Sequence, residues 1–172
     1  MPKQPEAYIN FSVYEDGKEF LGISQATLPE VNFKTLTVNG AGIGGDVDAI
    51  LPGVLDAMSL TLNFRNATDA AVKLMSPVRH NIELRVAEQH WDTAKIAKGV
   101  TADKYVLVVM PKSTKPGNVA PASAADASGE YSVYYYAGYR DGEKLWEIDP
   151  WNDKCEIGGV DYSAEVRKAL GK

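Results

Sequence analysis

The chain has 172 residues, of which 45% are hydrophobic and 24% charged, and its formal net charge is −5. This length and composition predict one folded domain, residues 1–172, and exclude a disordered chain. With a net negative charge, the chain lacks the cluster of basic residues that is typical of a protein that binds nucleic acid. A single cysteine, Cys155, excludes an internal disulfide and a cysteine-based zinc site.

The N-terminal residues predict a β-hairpin and no export signal. Apolar and polar side chains alternate over residues 8–14, which is typical of a half-buried strand. Asp16-Gly17 then predicts a two-residue turn that places Glu15 opposite Lys18. The tract before this strand lacks the apolar core of a signal peptide, and no run approaches transmembrane length. We therefore expect a protein made in a cytoplasm, without membrane insertion.

The middle of the chain predicts two clean amphipathic strands and a short helix. Residues 58–64 and 80–86 alternate strictly between apolar and polar side chains, apart from the histidine that begins the second run. Thr68 is placed to cap a helix over Asp69–Met75, and Ser76-Pro77 would end it. The chain therefore predicts a mostly β (α+β) fold, an antiparallel sandwich or barrel.

Three segments do not suit an isolated monomer. Residues 38–55 predict a long Gly-rich loop with exposed aliphatic side chains, and such loops are usually functional. Residues 104–110 are apolar on both strand faces, which predicts that both faces are covered. Residues 112–130 contain little to bury and predict a mobile loop.

The C-terminal forty residues predict a second hairpin. Asp141-Gly142 separates two apolar-rich runs, and a two-residue turn there sets Arg140 opposite Glu143. The same register pairs Ala137 with Trp146 and Tyr135 with Ile148. It assigns one face to the core (Tyr131, Val133, Tyr135, Ala137, Trp146, Ile148) and leaves the other for a neighbour (Tyr134, Tyr136, Glu147, Asp149).

A short helix is predicted to close the chain over residues 161–171. Asp161 or Ser163 is placed to cap it, and Gly171 suits the position after its end. Val166, Ala169 and Leu170 form an apolar stripe along one side.

No set of residues predicts an active site. His80 and His90 lie about 33 Å apart on one strand at the usual rise, too far to share a metal ion. The run Gly40–Gly45 lacks both the spacing and the βαβ context of a dinucleotide loop. Glu147 and Asp149 are better explained as an acidic edge than as glycosidase acids. We therefore predict neither catalysis nor a cofactor.

Several motifs in order carry a resemblance to a known family. They are the tyrosine run 134–136, Asp-Gly at 141–142, E-I-D-P-x-N from Glu147, G-G-V-D from Gly158 and a short basic helix. Leu28-Pro29 and the Gly-rich segment 40–58 extend the match upstream. The chain resembles the major tail tube proteins of contractile-tailed phages and R-type pyocin-like particles.

The resemblance implies a structural subunit that forms rings, conventionally hexamers, which stack into a hollow tube. The implied partners are further copies of the chain, the tail sheath, the baseplate and terminator proteins, and DNA passing through the lumen unbound. The implied location is a virion tail or phage-like particle, assembled in the bacterial host cytoplasm. Predicted interface residues are Gly42, Val47, Ile50, Leu51, Gly53, Val54, Leu55, Met58, Tyr134, Tyr136, Glu147 and Asp149.

The resemblance does not identify the residues that line the lumen, and two alternative functions remain. Asp103, Asp126 and Glu130 are candidates for acidic lumen residues, because they lie near predicted strand ends. A tube protein of a type VI secretion system remains an alternative within the structural class. A monomeric β-sandwich that binds carbohydrate or peptide through its nine tyrosines is an alternative from another class.

Overall fold

The computed structural model describes residues 3–172, so the first two residues of the predicted domain lie outside it. Within those residues, twelve strands and two short α-helices form a mostly β fold, as predicted, and the antiparallel sheets are not closed into a barrel. None of the helices within residues 3–172 is long and apolar enough to cross a membrane. The strands are β1 (Lys3–Glu15), β2 (Lys18–Phe20), β3 (Ile23–Thr27), β4 (Phe33–Val38), β5 (Val47–Leu55), β6 (Met58–Phe64), β7 (His80–Asp92), β8 (Ala97–Lys115), β9 (Ala127–Arg140), β10 (Glu143–Asp149), β11 (Lys154–Ile157) and β12 (Val160–Asp161). The helices are α1 (Asp69–Leu74) and α2 (Ala164–Ala169), with a 3-10 turn at Pro150–Asn152.

One branched sheet contains ten of the strands. Its path runs β12-β11-β10-β9-β8-β7-β1-β2, and every pair is antiparallel. The branch occurs on β9, because residues 136–140 pair with β10 whereas residues 127–133 pair with β6, and β6 pairs with β3. The strands β4 and β5 form a separate two-stranded sheet.

The core lies between the branch and the inner face of the long sheet path. The alternation predicted for 58–64 is confirmed, since Met58, Leu60, Leu62 and Phe64 are all buried. In the run 80–86, His80, Ile82 and Leu84 are buried and Val86 is partly buried. Tyr131, which is 1% exposed, fills the space beneath β6 and β9, and burial raises the pKa of its hydroxyl to about 12.

The predicted helices are present, but only the first is packed. The hydroxyl of Thr68 accepts a hydrogen bond from the Ala71 amide, so the predicted cap is confirmed, and Leu74 is buried. α2 begins after Ser163, whose side chain makes no capping hydrogen bond. The predicted apolar stripe of α2 is not packed within the subunit, because Val166 and Leu170 are exposed.

Both Asp-Gly turns form as predicted, with positive φ at each of their residues. Glu15 faces Lys18 and Arg140 faces Glu143. These facing residues do not close the turns as ion pairs. The Glu15 carboxylate instead contacts His80 and Lys73, and Arg140 contacts Asp103 and Glu88.

The predicted register of the C-terminal hairpin is wrong beyond its turn. A β-bulge at Leu145 pairs Trp146 with Gly138 and Ile148 with Tyr136. A second irregularity, where β8 pairs with β9, leaves Tyr134 without an opposite residue. A bulge adds one residue to one strand, so each side chain beyond it changes face. Tyr136 is therefore buried in the core, whereas Tyr135 lies on the outer face.

The predicted loops are shorter than the sequence suggests. Most of 38–55 belongs to the β4–β5 hairpin, whose connection covers only residues 39–46. The ends of 112–130 are paired strand, which leaves residues 116–126 as the loop. That loop is tied at its base, where the Ala125 amide donates to the Arg65 carbonyl at 3.0 Å. The outer side chains of 104–110 are only half-buried in the subunit.

Candidate assembly surfaces

The β4–β5 hairpin has one aliphatic and one largely polar face. Cross-strand pairing places Leu36 opposite Ala49 and Val38 opposite Val47, which puts these four side chains on the same face. The opposite face carries Thr35, Thr37, Asp48 and Ile50, and the Thr37 hydroxyl bonds the Asp48 carboxylate at 2.8 Å. Leu36 is 62% exposed and Val47 is 57% exposed. The aliphatic face is therefore an exposed apolar surface, of the kind that marks an interaction site.

The base of the hairpin is held against the body. Phe33 and Leu55 pack against the core, and the Asp56 amide donates to the Asn32 carbonyl at 2.9 Å. Gly53 has φ +80° and lies so close to the side chain of Ser163 that a Cβ would collide with it. The base of the hairpin therefore packs against Ser163, the residue just before α2.

A second surface is the outer face of a four-strand unit, which consists of β3, β6, residues 127–133 of β9 and residues 111–115 of β8. Its outward side chains are mostly small or uncharged polar groups: Gln25, Thr27, Ser59, Thr61, Asn63, Ser128 and Ser132. Its charges include Glu130 and Lys112, which pair at 3.0 Å, and this contact lowers the pKa of the Glu130 carboxyl. We call this the polar face.

Both edges of the four-strand unit are open within the described chain. β3 pairs with β6 on one side and with no strand on the other. β7 begins opposite Val109, so residues 111–115 of β8 extend past it and pair only with β9. Unpaired edges of this kind present backbone donors and acceptors to another strand.

The outer face of the C-terminal hairpin is an ion-pair cluster around Glu147. Its carboxylate contacts Lys144 and Lys154 at 2.7 Å each, and the Tyr135 hydroxyl donates to it at 3.1 Å. The two lysines are the main reason why the pKa of Glu147 falls to about 2. Tyr134 stacks on Trp151 with ring centroids 6.3 Å apart.

This cluster predicts a pH-dependent difference in stability. Because the pKa of Glu147 is depressed on folding, its contribution is present above the unfolded value near 4.5 and is lost as pH falls toward 2. We expect Glu147→Gln to lower the free energy of unfolding by about 1 kcal/mol at pH 7, since the lysines are partly solvated. The difference from wild type should vanish near pH 2 in chemical denaturation. Exposed Glu165→Gln is the control, and a pH-independent difference for Glu147→Gln would contradict the assignment.

Sequence reasoning missed two buried ionic clusters. Asp103 is 1% exposed and is held by Arg140 through two hydrogen bonds of 2.8 and 3.0 Å, and Arg140 also contacts Glu88 at 2.9 Å. A lumen role for Asp103 is therefore wrong. Glu15 and His80, both 3% exposed, form the second cluster. Their partners lie far apart in sequence, so no local pattern could have found them.

The histidines have structural partners. Nδ1 of His80 bonds Glu15 and Nε2 bonds the Ser76 carbonyl oxygen at 3.0 Å, while His90 bonds the Thr101 hydroxyl at 2.9 Å. Among residues 3–172, no three His, Cys, Asp or Glu side chains converge as a metal site requires.

The model of the family described as phage tail tube protein FII matches residues 5–171, nearly the whole chain. The chain belongs to this family. Its members are structural proteins of the phage tail, and the family implies a subunit that assembles with itself into a tube. A comparison with curated proteins finds no match.

The residues predicted as tail tube interfaces divide into three groups. Five residues are exposed on the hairpin, and their interface role stays a prediction: Gly42, Val47, Ile50, Leu51 and Val54. Met58 and Tyr136 lie in the subunit core, and Leu55 packs against it. The predicted outer-face position of Tyr136 is therefore wrong, whereas the interface role of Met58 and Leu55 stays a prediction. The remaining residues are Gly53 at the hairpin base, Tyr134 and Glu147 on the C-terminal hairpin, and Asp149, which caps the 3-10 turn.

Proposed function

We propose that this tail tube subunit closes into hexameric rings around a lumen, and that the rings stack into the inner tube of a contractile tail. The observation that carries the proposal is the four-strand unit with two open edges and a polar face. A head-to-tail contact whose rotation closes gives a ring, and a second contact is needed for stacking.

The strand directions suit ring closure. Since β3, β6, β9 and β8 alternate in direction, the open edge of β8 in one copy runs opposite to the open edge of β3 in the next. Repeating this junction continues an antiparallel sheet without a reversal. Closure would remove both open edges, which otherwise favour uncontrolled aggregation.

The polar face suits the lumen of such a ring. DNA affinity comes mainly from cations that neutralise phosphates. On this face, Glu130 contacts Lys112 and lies near Lys115, and the small hydroxyl and amide groups carry no charge. A nucleic acid would pass without specific binding. Asp126, the residue before β9, remains a candidate acid near one rim.

The β4–β5 hairpin supplies the stacking contact in this proposal. It projects an aliphatic face that the described chain does not cover, and its base is fixed by Gly53 and Ser163. A neighbouring ring would bury that face. The tail sheath outside the tube, the baseplate and terminator proteins at its ends, and assembly in the host cytoplasm follow from the family resemblance.

Electron microscopy of the purified protein tests the proposal. We expect end views of rings with six-fold symmetry and side views of tubes whose length grows with protein concentration. A species that stays at the subunit mass of 18.7 kDa at every concentration and salt level would contradict it.

A further inference from the structure

An apolar cleft opens beside the free edge of β3. It lies between that strand and the inner face of β1, β7 and β8, has a volume of about 210 Å³, and is lined mainly by apolar groups. The principal lining residues are Tyr8, Phe11, Leu28, Val86 and Tyr105. Tyr8 is 62% exposed at its mouth. The subunit leaves this side of its sandwich open.

Exposed apolar side chains also lie on and just after α1. Val72, Met75 and Val78 are 57%, 44% and 54% exposed and lie on α1 or just after it. Val72 and Met75 lie near Thr114 and Pro116, at the end of β8 that extends past β7.

Val78 belongs to the same side of the subunit. It precedes by two residues His80, the first residue of β7, which pairs with Val109 of β8. These three side chains, which we call the α1 ridge, therefore flank the open edge of β8. The cleft flanks the open edge of β3 in the same way, since Ser24, Gln25 and Ala26 border it.

We propose that the α1 ridge of one copy fills the cleft of the next copy in the ring. The inference rests on the proposed edge-to-edge ring contact, and it adds a second layer to that contact. When β8 meets β3, the features that flank those two edges are brought to the same junction. One apolar surface then covers the other, inside a border of polar groups such as Gln25 and Ser24, which is the usual arrangement of a specific interface.

The backbone pairing between strand edges and the packing of the α1 ridge in the cleft have different roles in the ring contact. Backbone pairing between edges is insensitive to side-chain identity, so it would tolerate a strand slipped along its neighbour. A ridge that fits a cleft fixes the register, because a slip would expose the ridge and empty the cleft. The occupant is a second copy of this chain, since both halves of the fit are on its own surface.

Cysteine cross-linking tests the inference in assembled tubes. Copies with Tyr8→Cys are mixed equally with copies with Val78→Cys, assembled, and treated with a short bis-maleimide. The native Cys155 is fully buried and should not react. We expect cross-linked dimers containing one copy of each variant, about tenfold above the background of unlinked sites, because assembly raises the local concentration.

The controls separate the possible results. Each variant alone should give only background, since head-to-tail contacts do not bring identical residues together. Tyr8→Cys mixed with Leu170→Cys should also give background. Tubes without the Tyr8–Val78 product would overturn the inference and leave the proposed function intact. A dominant product between Tyr8→Cys and Val38→Cys would also overturn it, because it would mean that the β4–β5 hairpin occupies the cleft. Failure of the wild type to form tubes would overturn the proposed function itself.

Discussion

Leu36→Asp is expected to abolish tubes while leaving the subunit folded. Leu36 is 62% exposed on the aliphatic face of the β4–β5 hairpin, so an aspartate there is solvated in the free subunit. In the proposed stack the same carboxylate would be buried against apolar groups, and burying an unpaired charge in this way costs several kcal/mol of assembly free energy per copy. Because the contact repeats around each ring, we expect rings but no tubes in electron micrographs.

The adjacent residue provides a matched control. Thr35 lies on the opposite face of the same strand, opposite Ile50, and Thr35→Asp introduces the same charge one position away. Tubes should persist with Thr35→Asp, and both variants should keep the unfolding midpoint of the wild-type subunit. Tubes that form equally well with Leu36→Asp would remove the aliphatic face from the stacking contact.

Arg140→Ala is expected to destabilise the subunit by about 3–5 kcal/mol, the usual cost of leaving a buried charge unpaired. Asp103 is 1% exposed and depends on Arg140, whereas Arg140 itself is 47% exposed and can turn toward water. Asp103→Ala should therefore cost less than Arg140→Ala, although the two substitutions break the same contact. Urea denaturation of the two variants at pH 7 measures this asymmetry.

A double variant checks the cause. If the cost of Arg140→Ala comes from an unpaired carboxylate in the core, removing that carboxylate as well should recover part of it, so the variant with both Arg140→Ala and Asp103→Ala should be more stable than Arg140→Ala alone. Additive costs for the two substitutions would mean that lost packing rather than charge explains the effect.

Local patterns predicted those parts of the fold that depend on neighbours in sequence. Alternation identified 58–64 as a strand with a buried face, Thr68 signalled α1, and the two Asp-Gly pairs located both turns. Each feature depends on a few adjacent residues. The family resemblance rested on ordered motifs of this same local kind.

Register and long-range pairing could not be predicted in this way. The bulge at Leu145 changes the face of every residue beyond it, yet the sequence there has no glycine or proline to signal it. The strands β4 and β5 were not predicted, because the glycines of the turn between them indicated a loop over the whole segment. Val47 and Ile50 are nevertheless good strand formers. The open edges of β3 and β8 become visible only once all strand partners are known.

The continuity of β8 and β9 has a mechanical consequence. β8 runs for 19 residues, roughly 60 Å at about 3.3 Å per residue, and β9 pairs with it along most of the four-strand unit and into the long sheet path. A load applied at the open edge of β8 is therefore carried along the continuous backbone of that strand and passes through interstrand hydrogen bonds into β7 and β1. Bending one part of the subunit against the other requires many backbone hydrogen bonds to shear together. The four-strand unit and the long sheet path should therefore move together as one body when the subunit is loaded.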